Sequence, residues 1–234
     1  MRNFLYSFTF LLVISSCTKV SPSGEITTKD VQVQEFENLD LKGKFKVFYV
    51  QNPKNSVSVE TYPNIFENLS IEVKGKTLVI KEKRETEGVD FYNITLYGKK
   101  NISHIKISDS AEMNISSQLM VDHFTLDMKD NSKFIGSVLS NKADIKMSQK
   151  TRLNLLGKTL DAKISIQDTA SIIAPYWYIN NLQISSKNGN FTEVSVEETL
   201  NGEIGNTSQL VYYGEPSKKI TQKDRAKIEN KKLE

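Results

Sequence analysis

Six segments in the second half of this 234-residue chain repeat one pattern, and their interval restricts the fold more than any other feature. Each starts on an apolar residue and reaches another about six positions later. They run Ile107–Met113, Met128–Phe134, Met147–Leu153, Ile166–Ile172, Ile184–Phe191 (with one extra residue) and Ile204–Leu210. The starting residues are 21, 19, 19, 18 and 20 positions apart. A second apolar residue precedes most of them by two positions: Ile105, Leu126, Ile145, Ile164 and Leu182. A short alternating strand cannot bury its apolar edge alone, but coils stacked at a fixed period build a continuous core. Small residues at mid-turn (Ala111, Ser132, Thr151, Ala170, Ser208) fit corners where neighbouring coils leave little room. Leucine-rich repeats share the period but need helical segments and a leucine–asparagine consensus, which are missing. The pattern predicts an all-β chain: a right-handed parallel β-helix with coils of about 18–21 residues, the alternative being a β-sandwich.

The region before Asn101 alternates with period two, as half-buried strands do: Phe45/Val47/Tyr49, Val57/Val59, Leu69/Ile71/Val73 and Leu78/Ile80. Lys74-Gly75-Lys76 between the last two predicts a hairpin, so this part is expected to be hairpin-rich. It should cover one end of the solenoid and Tyr212–Pro216 the other.

The N-terminus reads as a secretory signal over residues 1–16: Arg2, an apolar stretch from Phe4 to Ile14, then Ser15-Ser16. That stretch is shorter than the roughly 20 apolar residues a membrane span needs. Ile14-Ser15-Ser16-Cys17 resembles the bacterial lipobox, which implies cleavage before Cys17 and lipidation of its thiol. Cys17 is the sole cysteine of the chain, so no disulfide framework supports the fold. Thr18 stands where aspartate would signal inner-membrane retention, which points to the outer membrane. Residues 17–32 are then the lipidated N-terminus and a flexible spacer, polar and carrying Ser21-Pro22-Ser23-Gly24.

The segment 217–234 holds seven cationic residues against three anionic ones, a net charge of +4, and reads as a charged tail. The body from Cys17 to Pro216 is close to neutral, which removes nucleic acid from the expected partners.

The domain between, residues 33–216 with repeats at about 101–216, resembles the head GIN domain family, described as putative auto-transporter adhesins. The resemblance rests on Phe36-Glu-Asn-Leu-Asp-Leu-Lys-Gly-Lys-Phe-Lys-Val47, Ser56-Val-Ser-Val-Glu60, Asn68-Leu69, Gly75-Lys-Thr-Leu-Val-Ile80 and Leu210-Val-Tyr-Tyr-Gly-Glu-Pro216. It implies a secreted protein or lipoprotein with repeated strands coiled as a β-helix. The corners depart from the Ser-Gly-Ser-Gly common in that family. Asn or Asp must therefore take the left-handed conformations usually left to glycine, or the corners must be wider.

Superposed repeats put Asp109, Asp130, Gln149, Asp168, Ser186 and Asn206 at one turn position. Such a row could hold Ca²⁺ or a sugar, but Gln, Ser and Asn interrupt the carboxylates, and turn residues bonding their own backbone explain it more simply. His104 and His123 occupy different offsets in the repeat and should not stack. A polysaccharide lyase, the enzymatic alternative on this scaffold, would need a charged cluster with a base, and Arg152 is the sole arginine of the repeats. Neither a catalytic residue, a metal site nor a cofactor is assigned. The aromatic residues Tyr176, Trp177, Tyr178, Tyr212 and Tyr213 form a possible binding patch, although alternation should turn some of them inward. Asp109-Ser-Ala and Asp168-Thr-Ala, on exposed corners, resemble a bacterial O-glycosylation acceptor. The expected role is a non-enzymatic envelope lipoprotein that binds a glycan or an envelope protein, the remaining alternative being a purely structural one.

Overall fold

The computed structural model describes residues 19–233, so the signal-like segment 1–16 and Cys17 lie outside it. Its strands are β1 (Thr27–Gln32), β2 (Asn38–Gly43), β3 (Lys46–Gln51), β4 (Ser56–Thr61), β5 (Leu69–Lys74), β6 (Thr77–Glu82), β7 (Asn93–Gly98) and β8 (His104–Asp109). Then come the long strands β9 (Glu112–Met128), β10 (Lys133–Met147), β11 (Arg152–Asp168), β12 (Ser171–Asn188) and β13 (Phe191–Ile204). The chain closes with β14 (Gln209–Tyr213), β15 (Ser217–Gln222) and β16 (Lys227–Lys231). A five-residue helix, α1 (Pro63–Glu67), follows β4.

Each long strand pairs in parallel with the next at an offset of one coil: Lys133 with Arg152, Arg152 with Ser171, Ser171 with Phe191, Phe191 with Gln209. The result is a parallel β-solenoid of about seven turns, not a sandwich. A bend within each long strand divides the coil into two limbs and so creates two sheets. Sheet I runs β1-β4-β7-β3 and then through the first halves of β9 to β13 to β14 and β16. Sheet II starts at β5-β6-β2-β8, continues through the second halves of the same strands, and ends at β15.

The predicted apolar column exists. Ile107 pairs with Met128, Met128 with Met147 and Met147 with Ile166, and all four are buried. The fifth repeat is framed two residues later than the sequence suggests. Ile166 faces Ser186, while Ile184 belongs to the neighbouring column beside Ile164. The cause is a polar substitution inside the core. Ser186 donates to Asn190 Oδ1 at 2.7 Å, and Asn190 Nδ2 donates to the carbonyls of Lys187 (2.7 Å) and Ile166 (3.2 Å). These bonds satisfy two buried polar side chains where other coils place an aliphatic residue and a small one, so the apolar pattern slips to Ile184.

From β8 onward every coil turns from sheet II to sheet I through one left-handed residue: Asp109, Asp130, Gln149, Asp168, Asn188, Asn206 or Asp224, with φ between 58° and 76°. An L-residue there costs roughly 1–2 kcal/mol, least for Asn and Asp. The side chains offset that cost by bonding the adjacent coil. Asp109 N–H donates to Asp130 Oδ2 (2.9 Å), Asp130 N–H to Gln149 Oε1 (2.7 Å), Gln149 N–H to Asp168 Oδ2 (3.1 Å) and Asn206 N–H to Asp224 Oδ2 (3.1 Å). The expected own-backbone turn bonds are thus replaced by a ladder between coils. Asn188, not Ser186, holds the fifth position, and donates to Asp168 Oδ1 at 2.9 Å. Two residues past each corner the predicted small side chains (Ala111, Ser132, Thr151, Ala170, Ser208) are buried, joined by Asn190 and Ala226.

Both ends differ from the sequence reading. The 217–234 segment is not a free tail. Its strands β15 and β16 pair with β13 and β14 to form a further coil, with Ala226 buried and Ile220 and Ile228 packed on the core. Its lysines face solvent and line the terminal edge, where charge discourages further strand pairing. Tyr212–Pro216 therefore lies inside the stack. The N-terminal spacer is also structured: β1 pairs antiparallel with β4 over six residues, and Val20 bridges to Thr86. The predicted β5–β6 hairpin is present, and β4, β5 and β1 close that end by antiparallel pairing. The rungs there are out of chain order, since β2 lies between β6 and β8 and β3 between β7 and β9.

Glycine is required where coils approach most closely. A Cβ on Gly202 (φ 131°) would lie 1.9 Å from the carbonyl oxygen of Ile184, whereas one on Gly75 (φ 62°) would meet nothing within 4 Å. Gly75→Ala should therefore cost only its backbone strain, about 1–2 kcal/mol, and Gly202→Ala more than about 3 kcal/mol. Urea unfolding of both variants checks this, and equal losses would contradict the close approach.

Candidate binding surface

The two sheets present opposite chemistry to solvent. From β8 onward, the outward positions of sheet II are polar: His104 and Lys106 on β8, Thr125 and Asp127 on β9, Asp144 and Lys146 on β10, Lys163 and Ser165 on β11. Sheet I instead exposes large apolar side chains. Ile135 and Leu139 on β10, Leu156 on β11, and Ile173, Tyr176 and Tyr178 on β12 are each 37–52% exposed. These three strands are neighbours about 4.8 Å apart, and Leu156 sits among the other five. Asn154 stands between Ile135 and Ile173, and Lys158 between Leu139 and Tyr178, so the surface is an apolar group with polar residues set into it. Met120 lies beside Leu139 in the pairing register and extends the patch toward β9.

The predicted aromatic residues divide between this surface and the core. Pro175, Tyr176 and Trp177 form a bulge, because Ala174 pairs with Val194 and Tyr178 already with Ser195. A bulge tolerates Pro175, which cannot donate to the ladder, and its carbonyl accepts from Ser195 Oγ at 2.6 Å. Trp177 turns inward and is fully buried, its indole N–H donating to Thr159 Oγ1 at 2.9 Å. Thr159 in turn contacts Ser140 Oγ at 3.0 Å, so this interior polar chain is satisfied. Tyr212 is buried, while Tyr213 lies in the same row as Tyr178 and Ser195, at the face's edge. Its hydroxyl donates to Glu193 Oε1 at 2.6 Å, and that bond pushes the phenol pKa up to about 12. Trp177 and Tyr212 are thus structural, Tyr176 and Tyr178 are exposed, and Tyr213 is half-buried. Sequence reasoning missed Ile135, Leu139, Leu156 and Ile173. Their signal was an apolar residue at an outward position of an alternating strand, recurring on adjacent coils.

The remaining candidates are dispersed. His104 and His123 are half-exposed and do not stack, pairing in register with Thr125 and Lys142. His123 Nε2 lies 2.6 Å from Asp144 and His104 Nε2 3.4 Å from Asp127. Arg152 is exposed on sheet I between Lys133 and Ser171. At the corner beside the capped end, burial raises the carboxyl pKa values of Glu82 and Asp109. Among the described residues no three His, Cys, Asp or Glu side chains converge as metal ligands.

A family model described as "Putative auto-transporter adhesin, head GIN domain" matches residues 35–216, most of the chain. The chain belongs to the head GIN domain family. Solved structures share its fold across nearly their whole length. A putative adhesin from Bacteroides fragilis superposes with a TM-score of 0.84 at 19% identity, covering 91% of this chain and 100% of that one. A protein named as a putative lipid binding protein, from Parabacteroides distasonis, gives 0.73 at 17%, covering 92% and 100%. A putative adhesin from Parabacteroides merdae gives 0.71 at 17%, covering 92% and 99%. At these identities the likeness is one of fold alone. No curated protein matches the chain.

In this head GIN domain the division of the aromatics predicts a division of effects. Trp177→Phe should destabilise by about 2 kcal/mol, through a lost buried hydrogen bond and a partial cavity. Tyr176→Ala should change stability by less than about 0.5 kcal/mol, as exposed substitutions do. Thermal unfolding of the two variants separates core from surface; a large loss at Tyr176 would place it in the core.

Proposed function

We propose that this protein is a lipid-anchored component of the bacterial cell envelope that uses the exposed apolar face of sheet I, without catalysis, to bind a glycan or an envelope protein. The observation that carries the reading is the clustering of exposed Ile135, Leu139, Leu156, Ile173, Tyr176 and Tyr178 on three adjacent strands, with Asn154 and Lys158 set among them. Apolar patches of this kind mark interaction sites, and tyrosines offer ring faces that stack on sugars or fill partner pockets. The adhesin-like family supports a binding role. The anchor rests on the lipobox-like residues Ile14–Cys17 and on Cys17 being the only thiol. A polysaccharide-active enzyme draws less support, because Arg152 and the two histidines stand on different sheets.

Labelled palmitate should enter the wild-type protein in bacteria and be absent from Cys17→Ser; an unlabelled wild type would defeat the anchor. Glycan arrays and envelope pull-downs with the intact chain should yield a ligand. Tyr176→Ala/Tyr178→Ala should weaken its binding at least tenfold, about 1.4 kcal/mol. Unchanged affinity in the folded double variant would remove the patch from the site, and glycan cleavage lost in Arg152→Ala would favour the enzyme.

A further inference from the structure

The segment that reads as a spacer is fastened to the solenoid almost from the first described residue. Val20 is buried, its N–H donates to the Glu85 carbonyl at 2.9 Å, and its own carbonyl accepts from Glu87 N–H at 3.1 Å. Lys19 Nζ lies 3.7 Å from Glu85 and 3.8 Å from Glu87. Asn64 of α1 holds the next residues by a reciprocal pair: its Nδ2 donates to the Ser21 carbonyl at 2.7 Å, and its Oδ1 accepts from Ser23 N–H at 2.9 Å. The chain then enters β1, which is laddered to β4 from Thr27 to Gln32. No residue between Val20 and Gln32 is left to act as a long tether.

The arithmetic of the anchor follows from covalent geometry. Three Cα–Cα steps lead from Cys17 to Val20, and a fully extended chain covers at most about 3.6 Å per step, or about 11 Å in all. A lipid on the Cys17 sulfur sits with its glyceryl group at the headgroup level. Val20, bonded to the Glu85–Glu87 loop and followed at once by the residues that Asn64 of α1 holds, is then kept within about 11 Å of that layer.

We infer that the acyl anchor clamps the capped end of the solenoid directly against lipid headgroups, with no stalk, and that the coils project away from the membrane. The inference rests on the lipidation proposed above; its partner is the membrane surface itself. The order of sheet I sets the scale. From β7 to β16 there are eight inter-strand steps, roughly 40 Å at about 4.8 Å each. The patch on β10 to β12 starts three steps from β7, so it stands clear of the headgroups, on the side of the rod. A docked N-terminus therefore sets both the height and the orientation of the binding face, which a flexible linker would leave free.

The lone native cysteine makes the test clean, because acylation consumes it and an introduced cysteine is then the only reactive thiol. Full-length Glu87→Cys and Lys227→Cys, both at exposed positions, are purified as lipoproteins from bacterial membranes and labelled with bimane. They are then reconstituted into phosphatidylcholine–phosphatidylglycerol vesicles containing a headgroup spin-labelled lipid. Quenching should be several-fold stronger at position 87 than at 227, and twenty Gly-Ser residues inserted after Thr18 should abolish the difference. Weak quenching at both positions would show a free stalk, and strong quenching at both a rod lying flat; either result overturns the clamp. Protein that takes up no palmitate and fails to float with vesicles defeats the lipidation reading instead, and the clamp falls with it.

Discussion

The structure depends on one recurring contact, the left-handed corner whose side chain bonds the backbone of the coil beside it. Asp130, Gln149, Asp168 and Asp224 each accept an N–H from the preceding corner. Parallel pairing alone permits coils to slide, and a shift of one residue turns every inward side chain outward. A bond from a fixed corner to the next fixed corner sets the register once per coil. The apolar columns of Ile107, Met128, Met147 and Ile166 can then be continuous because the corners are aligned. Hydrogen bonding thus decides the alignment, while apolar burial supplies most of the stability.

Much of this was legible in the residues. Period, strand class, the β5–β6 hairpin and five of the corner positions follow from apolar spacing and from short polar residues at fixed offsets. The failures have physical causes. Ser186 and Asn190 satisfy one another inside the core, so a count of apolar residues cannot see that rung. The last coil hides because only Ile220, Ala226 and Ile228 point inward among many lysines. The first residues read as a spacer because their attachment uses backbone groups and Asn64, which leave no apolar pattern.

The candidate surface was harder to read than the fold. Alternation shows that one of Tyr176 and Trp177 points inward, but the bulge at Pro175 decides which. The exposed aliphatic residues of sheet I are ordinary singly and informative only once pairing places them on adjacent strands. Sheet II, polar from β8 onward, supplies the contrast that makes the patch specific to one side of the rod.

The rungs at the capped end are stacked out of chain order. Strands β2 and β3 enter early, yet each is enclosed by strands that follow much later: β6 and β8 around one, β7 and β9 around the other. Neither can leave while its neighbours stay, whereas β15 and β16 at the opposite end have a free flank. A molecule so built opens from its flanks, β15 and β16 at that end and β1 and β5 at the capped one. A pull on its far tip opens the last rung first, and the interleaved β2 and β3 let go only after their neighbours do.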